Sequence, residues 1–129
     1  MFDNNVYIDN TLKNVVENDQ TVGYEMQTNI TYYRGIPMSM IVKVEVKEDG
    51  QDVPRDDIRI SVDYDDWFTL EEARTAVNHK WEYGEPLYVR VLKDGGLAAG
   101  THEMVLTEAI RTAYIPTPLE GVKAFTVTI

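Results

Sequence analysis

The stretch "YEMQTNITY", Tyr24 to Tyr32, decides the fold. Tyr24, Met26, Thr28, Ile30 and Tyr32 fall on one side of an extended chain, and Glu25, Gln27, Asn29 and Thr31 on the other. A period of two marks a strand with one face buried and the other in solvent. Outward from it the pattern recurs. "MIVKVEVKE" places Met40, Val42, Val44 and Val46 inward and Lys43, Glu45 and Lys47 outward, and Asp49-Gly50 in the following "EDGQ" is a hairpin turn signal. "DIRISVDY" gives a strand with Ile58, Ile60, Val62 and Tyr64 on one face, and Pro54 ahead of it suits a strand start or edge. "LYVRVL" and "HEMVLTEAIRTAYI" read as two more strands joined by the Gly-rich "DGGLAAGTH". "VKAFTVTI" alternates Phe125, Val127 and Ile129 against Ala124, Thr126 and Thr128, and "TLKNVVEN" is a further, weaker strand.

One segment reads as helix. In "TLEEARTAV", Thr69 is placed to cap the N-terminus and Glu72, three residues on, to close a capping box, with two acids in the first turn to suit the helix dipole. About two turns are expected, ending near Asn78. Short strands at turn-spaced intervals with a single short helix predict an all-β fold, an antiparallel two-sheet β-sandwich of jelly-roll-like type, as one domain over residues 1–129. Strands and helices do not alternate, which excludes a Rossmann or TIM topology.

A chain of 129 residues can bury roughly two-thirds of its unfolded surface in a single core. It has no cysteine, so neither disulfides nor thiolate metal sites are available. Twenty-two acidic against 12 basic residues give a net charge of -10, which argues against nucleic acid and anionic membranes as partners. The opening "MFDNNVYIDN" has neither a basic region nor an apolar core of a signal peptide, and no apolar run approaches the ~20 residues that cross a bilayer. The expected location is the cytoplasm.

Catalytic signals are sparse. The sequence has no HExxH, GxSxG, GxxxxGK[ST] or glycine fingerprint. A hydrolytic zinc site would need His79, His102 and a carboxylate brought together from different strands. "DYDDW", Asp63 to Trp67, is either a calcium ligand set lacking the Gly and Glu of an EF-hand loop or a solvated loop, and Asp56 and Asp57 read the same way. A pair of carboxylates for glycoside hydrolysis would be spatial and so invisible here. In "KWEYGEPLYVRV", Trp81 and Tyr83 alternate with Glu82, so both rings are expected on one face, either packed in the core or forming a platform for a sugar or another protein. "YYRGIPMSMI", Tyr32 to Ile41, carries more aromatic and guanidinium surface than a turn requires.

"TLKNVVEN", "YYRGIPMSMI", "VPRDDIR", "YGEP" and "VLKDGGLAAGTHEM", in this order and spacing from about Thr11 to Tyr114, resemble the small β subunit of bacterial C-glycoside deglycosidases. The resemblance implies prolines more often near Asp94 and Ala99 in the glycine loop, and here they are absent. The resemblance implies a non-catalytic accessory subunit paired in a hetero-oligomer with a TIM-barrel α subunit. That partner would bind a divalent metal, manganese by expectation, and supply the general base, leaving no cofactor, metal or catalytic residue to this chain. The pair would act as a lyase on 3-oxo-C-glycosides such as oxidised flavonoid C-glucosides, expelling the aglycone by elimination. It also implies that Tyr32, Tyr33, Arg34, Gly35, Ile36 and Pro37, with Trp81 and Tyr83, form the partner interface. Arg34 would fork onto a carboxylate or carbonyls of the partner, unless it pairs with an acid of its own chain. Two other readings compete: a carbohydrate-binding β-sandwich module stacking sugars on Trp81 and Tyr83, and a self-contained hydrolase.

Overall fold

The computed structural model describes residues 2–3, 6–30, 34–112 and 115–129. In chain order the elements are β1 (Phe2–Asp3), β2 (Lys13–Glu17), β3 (Gln20–Thr28), β4 (Ile36–Pro37), β5 (Ile41–Glu48), β6 (Gln51–Asp52), β7 (Ile58–Ser61), α1 (Leu70–Ala73), β8 (Lys80–Trp81), β9 (Leu87–Leu92), β10 (Thr101–Thr112) and β11 (Ile115–Thr128). Five strands form one sheet in the order β1-β11-β10-β5-β6, four form a second in the order β2-β3-β9-β7, and β4 pairs with β8 in a small ribbon. All pairings are antiparallel except the short β1–β11 contact. The fold is all-β, as the alternating sequence predicts.

The alternation works as anticipated where both neighbours are strands. Tyr24 and Met26 of β3, Ile58 and Ile60 of β7, and Val89 and Val91 of β9 face Val44 and Val46 of β5 and Met104, Leu106 and Ile110 of β10 in one continuous core. The edge is closed by Tyr7 stacked on Phe125, centroids 3.7 Å apart. Polar contacts also cross between the sheets. The Tyr24 hydroxyl donates to Glu48 Oε1 at 2.9 Å, and the Thr28 hydroxyl to the buried Glu108 Oε2 at 3.0 Å. Burial, then the Glu48 carboxylate, push the Tyr24 phenol far above its ordinary value, so it stays a donor at every physiological pH. The β2–β3 and β5–β6 hairpins have central residues at positive φ, Asn18 and Asp19 at 51° and 64°, and Asp49 and Gly50 at 50° and 83°. This is the backbone that matches strand twist in a two-residue turn.

Four local expectations change. Ala109 faces Lys43 and Ile110 faces Ile41, so Val42 is an extra residue, a β-bulge. The bulge reverses the pattern: Ile41 is buried, Val42 turns outward, and Met40 sits half-buried in a one-turn 3-10 segment. β7 stops at Ser61 because Asp63 Oδ1 accepts from the Ser61 hydroxyl and from the N–H groups of Asp65 and Asp66 at 2.9–3.1 Å. The chain therefore turns: Val62 still packs half-buried against the core of Ile58 and Ile60, but Tyr64 takes φ 67° and leaves that face. α1 has its capping box, with Glu72 N–H donating to Thr69 Oγ1 at 3.1 Å and Thr69 N–H to Glu72 Oε1 at 2.8 Å. It lasts one α-turn and then tightens into i→i+3 bonds from Arg74, Thr75 and Ala76. Finally, β11 begins well before Val122. Ile115 pairs with Thr112 and Leu119 with Ile110, so residues 116–118 oppose Arg111 alone, and this irregularity accommodates two prolines within a strand.

Candidate partner-binding surface

Two stretches that the sequence singles out separately meet in space. Ile36 pairs with Trp81 and Pro37 with Lys80, and Met38 N–H donates to the His79 carbonyl at 2.8 Å. The approach is close enough to require a glycine: a Cβ on Gly35 would lie 2.8 Å from the Trp81 carbonyl oxygen. Ile36 is buried, Gly35 and Pro37 are half-buried, and Arg34 is exposed at the ribbon's entry. Tyr32 and Tyr33 lie outside the described residues.

Trp81 and Tyr83 do not share a face. Trp81 is completely buried, its indole N–H donating to the Glu85 carbonyl at 2.9 Å, while Tyr83 is 63% exposed. β8 has only two residues, and the chain then turns through Glu82–Glu85 with Gly84 at φ 89°. Strand alternation cannot run through a turn, which is why the shared-face expectation fails. Trp81 belongs to the core, and it holds the ribbon against the sandwich. What the ribbon presents outward is Arg34, Lys80, Glu82, Tyr83 and Glu85. An exposed tyrosine beside residues of both charges, on a backbone fixed by Gly35 and Pro37, suits a docking contact that loses little entropy.

A second cluster was not legible in the sequence. Register sets Lys13 of β2, Glu25 of β3, Arg90 of β9 and Arg59 of β7 in one row across the outer face of the four-stranded sheet. Glu25 accepts from Arg90 at 3.3 Å and from the Tyr64 hydroxyl at 2.7 Å, and Arg90 reaches Glu17 at 3.3 Å. The Arg90 guanidinium lies over the Trp67 ring at 4.1 Å, and Tyr64 meets both Trp67 and Tyr88 edge-on. The turn at Asp63 folds Tyr64 and Trp67 back over the sheet, so Glu25, on the nominally outward side, is buried. Desolvation and the Glu25 carboxylate push the Tyr64 hydroxyl upward. "DYDDW" is thus a lid over an ion pair, and only the cross-strand pairing of Glu25 with Arg90 reveals it.

The two histidines have separate partners. His79 Nε2 lies 3.1 Å from Asp66 Oδ2, and with Asp63 these donor atoms all fall within 4.8 Å of one another. Such a trio has the chemistry for a divalent cation, but Asp63 already takes three donors of its own turn, whose backbone N–H groups hold its carboxyl below the ordinary range. His102 places Nδ1 2.7 Å from Asp49 Oδ2 and Nε2 2.8 Å from the Ala98 carbonyl. Two acceptors favour the imidazolium: the Ala98 carbonyl first, then Asp49, raise the His102 pKa, and His102 in turn lowers that of Asp49. This clamp ties the β5–β6 turn to β10. Among the described residues no cluster of metal-binding type contains both histidines.

The fold and this surface define a small β-sandwich protein with an exposed ribbon, its charged groups largely engaged in holding its own structure. Residues 2–114 match the family described as C-glycoside deglycosidase beta subunit, and the chain belongs to that family. It is 27% identical over 99 residues to the C-glycoside deglycosidase beta subunit of Eubacterium cellulosolvens, covering 77% of this chain and 67% of that one. It is 31% identical over 94 residues to the 3'-dehydrocarminate deglycosidase beta subunit of a Microbacterium species, covering 73% of this chain and 70% of the relative. Membership in a beta-subunit family implies a complex with a partner subunit. No helix of the described residues is long and apolar enough to cross a membrane.

Proposed function

We propose that this chain is the non-catalytic accessory subunit of a cytoplasmic C-glycoside deglycosidase, working in a hetero-oligomer with a metal-dependent TIM-barrel α subunit. The observation that carries this reading is the extent of the family match: residues 2–114 include both strands of the exposed ribbon. In this proposal the α subunit binds most of the 3-oxo-C-glycoside, for instance an oxidised flavonoid C-glucoside. It removes the proton beside the ketone and expels the aglycone by breaking the carbon–carbon bond. Such chemistry needs a base at the proton and an electrophile at the developing oxyanion, and a divalent metal, manganese in this reading, is the partner's contribution. This chain stabilises the partner through the face that carries Arg34 and Tyr83. The competing sugar-module reading loses half of its platform with Trp81 in the core.

The test is expression of this chain alone and with a barrel-type α subunit from the same genome, each supplied with manganese and a 3-oxo-C-glycoside, with native mass measured in parallel. A stable hetero-complex that is active only with both chains is expected. Cleavage by this chain alone, or two chains that never associate, would overturn the proposal. Given a complex, Arg34→Ala is expected to raise its Kd about tenfold or more, within the range of an interface arginine.

A further inference from the structure

We infer that the outer edge of β5 receives an acidic, extended segment of the partner subunit as an added strand, whose carboxylates meet Arg55, Arg74 and Arg111. This rests on the accessory-subunit reading above. β10 pairs with β5 from Ile41 to Glu48, but on the other side β6 reaches only Lys47 and Glu48, and Val53 N–H bonds to the Val46 carbonyl. Over residues 41–45 the outward backbone groups have no strand beside them among the described residues. A strand edge of this kind is a template for pairing with another chain.

The edge borders a groove. A recess of about 490 Å³ is lined by Ile41, Val42 and the three arginines, and another of about 310 Å³ by residues 43–46 of β5. Arg55 and Leu70 line both, which makes them continuous. The bulge in β5 turns the Val42 side chain into the first recess. From Ile41 to Val46 the groove spans roughly 17 Å, the length of an ordinary strand.

Charge selects the occupant. Arg55 and Arg74 share one carboxylate, Glu71, at 2.6 and 3.3 Å, and Arg111 makes no hydrogen bond or ion pair with any described residue. Three guanidiniums against one carboxylate is a local cationic excess in a chain of net charge -10. The Arg55 and Arg74 side chains are 53% and 68% exposed, so a small anion would find them hydrated and screened and gain little. A protein segment bonding along the edge would exclude water from the same arginines, where pairing with carboxylates is worth more. The other end of the groove carries the exposed acids Glu45 and Asp52, so the segment's acidic end lies towards Ile41.

The test compares hydrogen exchange in the free chain and in the co-purified complex, and measures the Kd of the complex for wild type, Arg111→Glu, Arg74→Glu and Lys123→Glu. The last makes the same change in net charge on β11, away from the groove. Outward amides in residues 41–45 are expected to exchange at least about tenfold more slowly in the complex. Arg111→Glu is expected to raise Kd about tenfold, equivalent to roughly 1.4 kcal/mol, with Lys123→Glu within about twofold of wild type. A wild-type complex with unchanged exchange at 41–45, or one weakened equally by Lys123→Glu, overturns the inference and leaves the accessory-subunit proposal standing. Failure of wild type to form a complex overturns both.

Discussion

Two arginine–carboxylate clusters in this protein have the same chemistry and opposite settings. Around Arg90, the guanidinium side chain is 12% exposed and its partner Glu25 5%, under the rings of Tyr64 and Trp67. Around Glu71, the carboxylate is 60% exposed and holds Arg55 and Arg74 in open water. The shorter contact is the exposed one, 2.6 Å against 3.3 Å, yet burial and not length governs what each is worth to stability. Removing one member of the buried set strands a charge that water cannot reach. Removing Glu71 leaves two hydrated arginines.

The largest effect is expected from Arg90→Ala, which leaves Glu25 buried with only Lys13 and the Tyr64 hydroxyl and uncovers one face of Trp67. A loss of about 3 kcal/mol in urea unfolding is expected; a loss below about 1 kcal/mol would mean that the cluster is solvated after all. The double variant Glu25→Leu with Arg90→Met should recover most of that loss, because neither charge is then stranded. Thr69→Ala removes the cap of the helix that carries Glu71 and should cost about 1 kcal/mol by the same measurement. Glu71→Gln should leave the urea midpoint at pH 7 unchanged, and a large shift would break the comparison.

The pH dependence sharpens the contrast further. Arg55, then Arg74, hold the Glu71 pKa below its ordinary value. A lowered carboxyl contributes stability above its unfolded pKa and loses it as pH falls through the folded one, so any contribution of Glu71 vanishes in acid below about pH 4.5. His102 has the opposite sign. Its raised pKa contributes below about pH 6.5 and is lost as pH rises through the folded value, while Asp49 contributes above about pH 3.8. The clamp is therefore fully present between about pH 4 and 6.5. NMR titration of His102 should give a midpoint above that of a free histidine. Asp49→Asn should lower it only partway, because the Ala98 carbonyl is the larger cause.

Much of the fold was legible because it is local. The alternation at Tyr24, Met26 and Thr28, the Asp49-Gly50 turn and the Thr69–Glu72 capping box depend on neighbours within a few residues, and each formed as its pattern requires. The candidate surface was only partly legible. Arg34 and Tyr83 are exposed, but Trp81, two residues from Tyr83, is in the core because β8 ends at once in a turn. The Met40–Val42 phase failed for a different reason: a bulge is defined by the partner strand, and the partners that define it, Ala109 and Ile110, lie far along the chain.

The sequence by itself determined an acidic all-β chain without cysteine, the family it belongs to, and the Asp49-Gly50 turn, since composition and short-range periodicity carry that information. Only the tertiary structure decided that Glu25 is buried beneath Tyr64 and Trp67, that Gly35 is pressed against Trp81, and that residues 41–45 of β5, beside three arginines, have no strand on their outer side among the described residues. Those facts depend on which distant strands become neighbours and in what register, and a one-residue change of register moves every side chain of a strand to the other face.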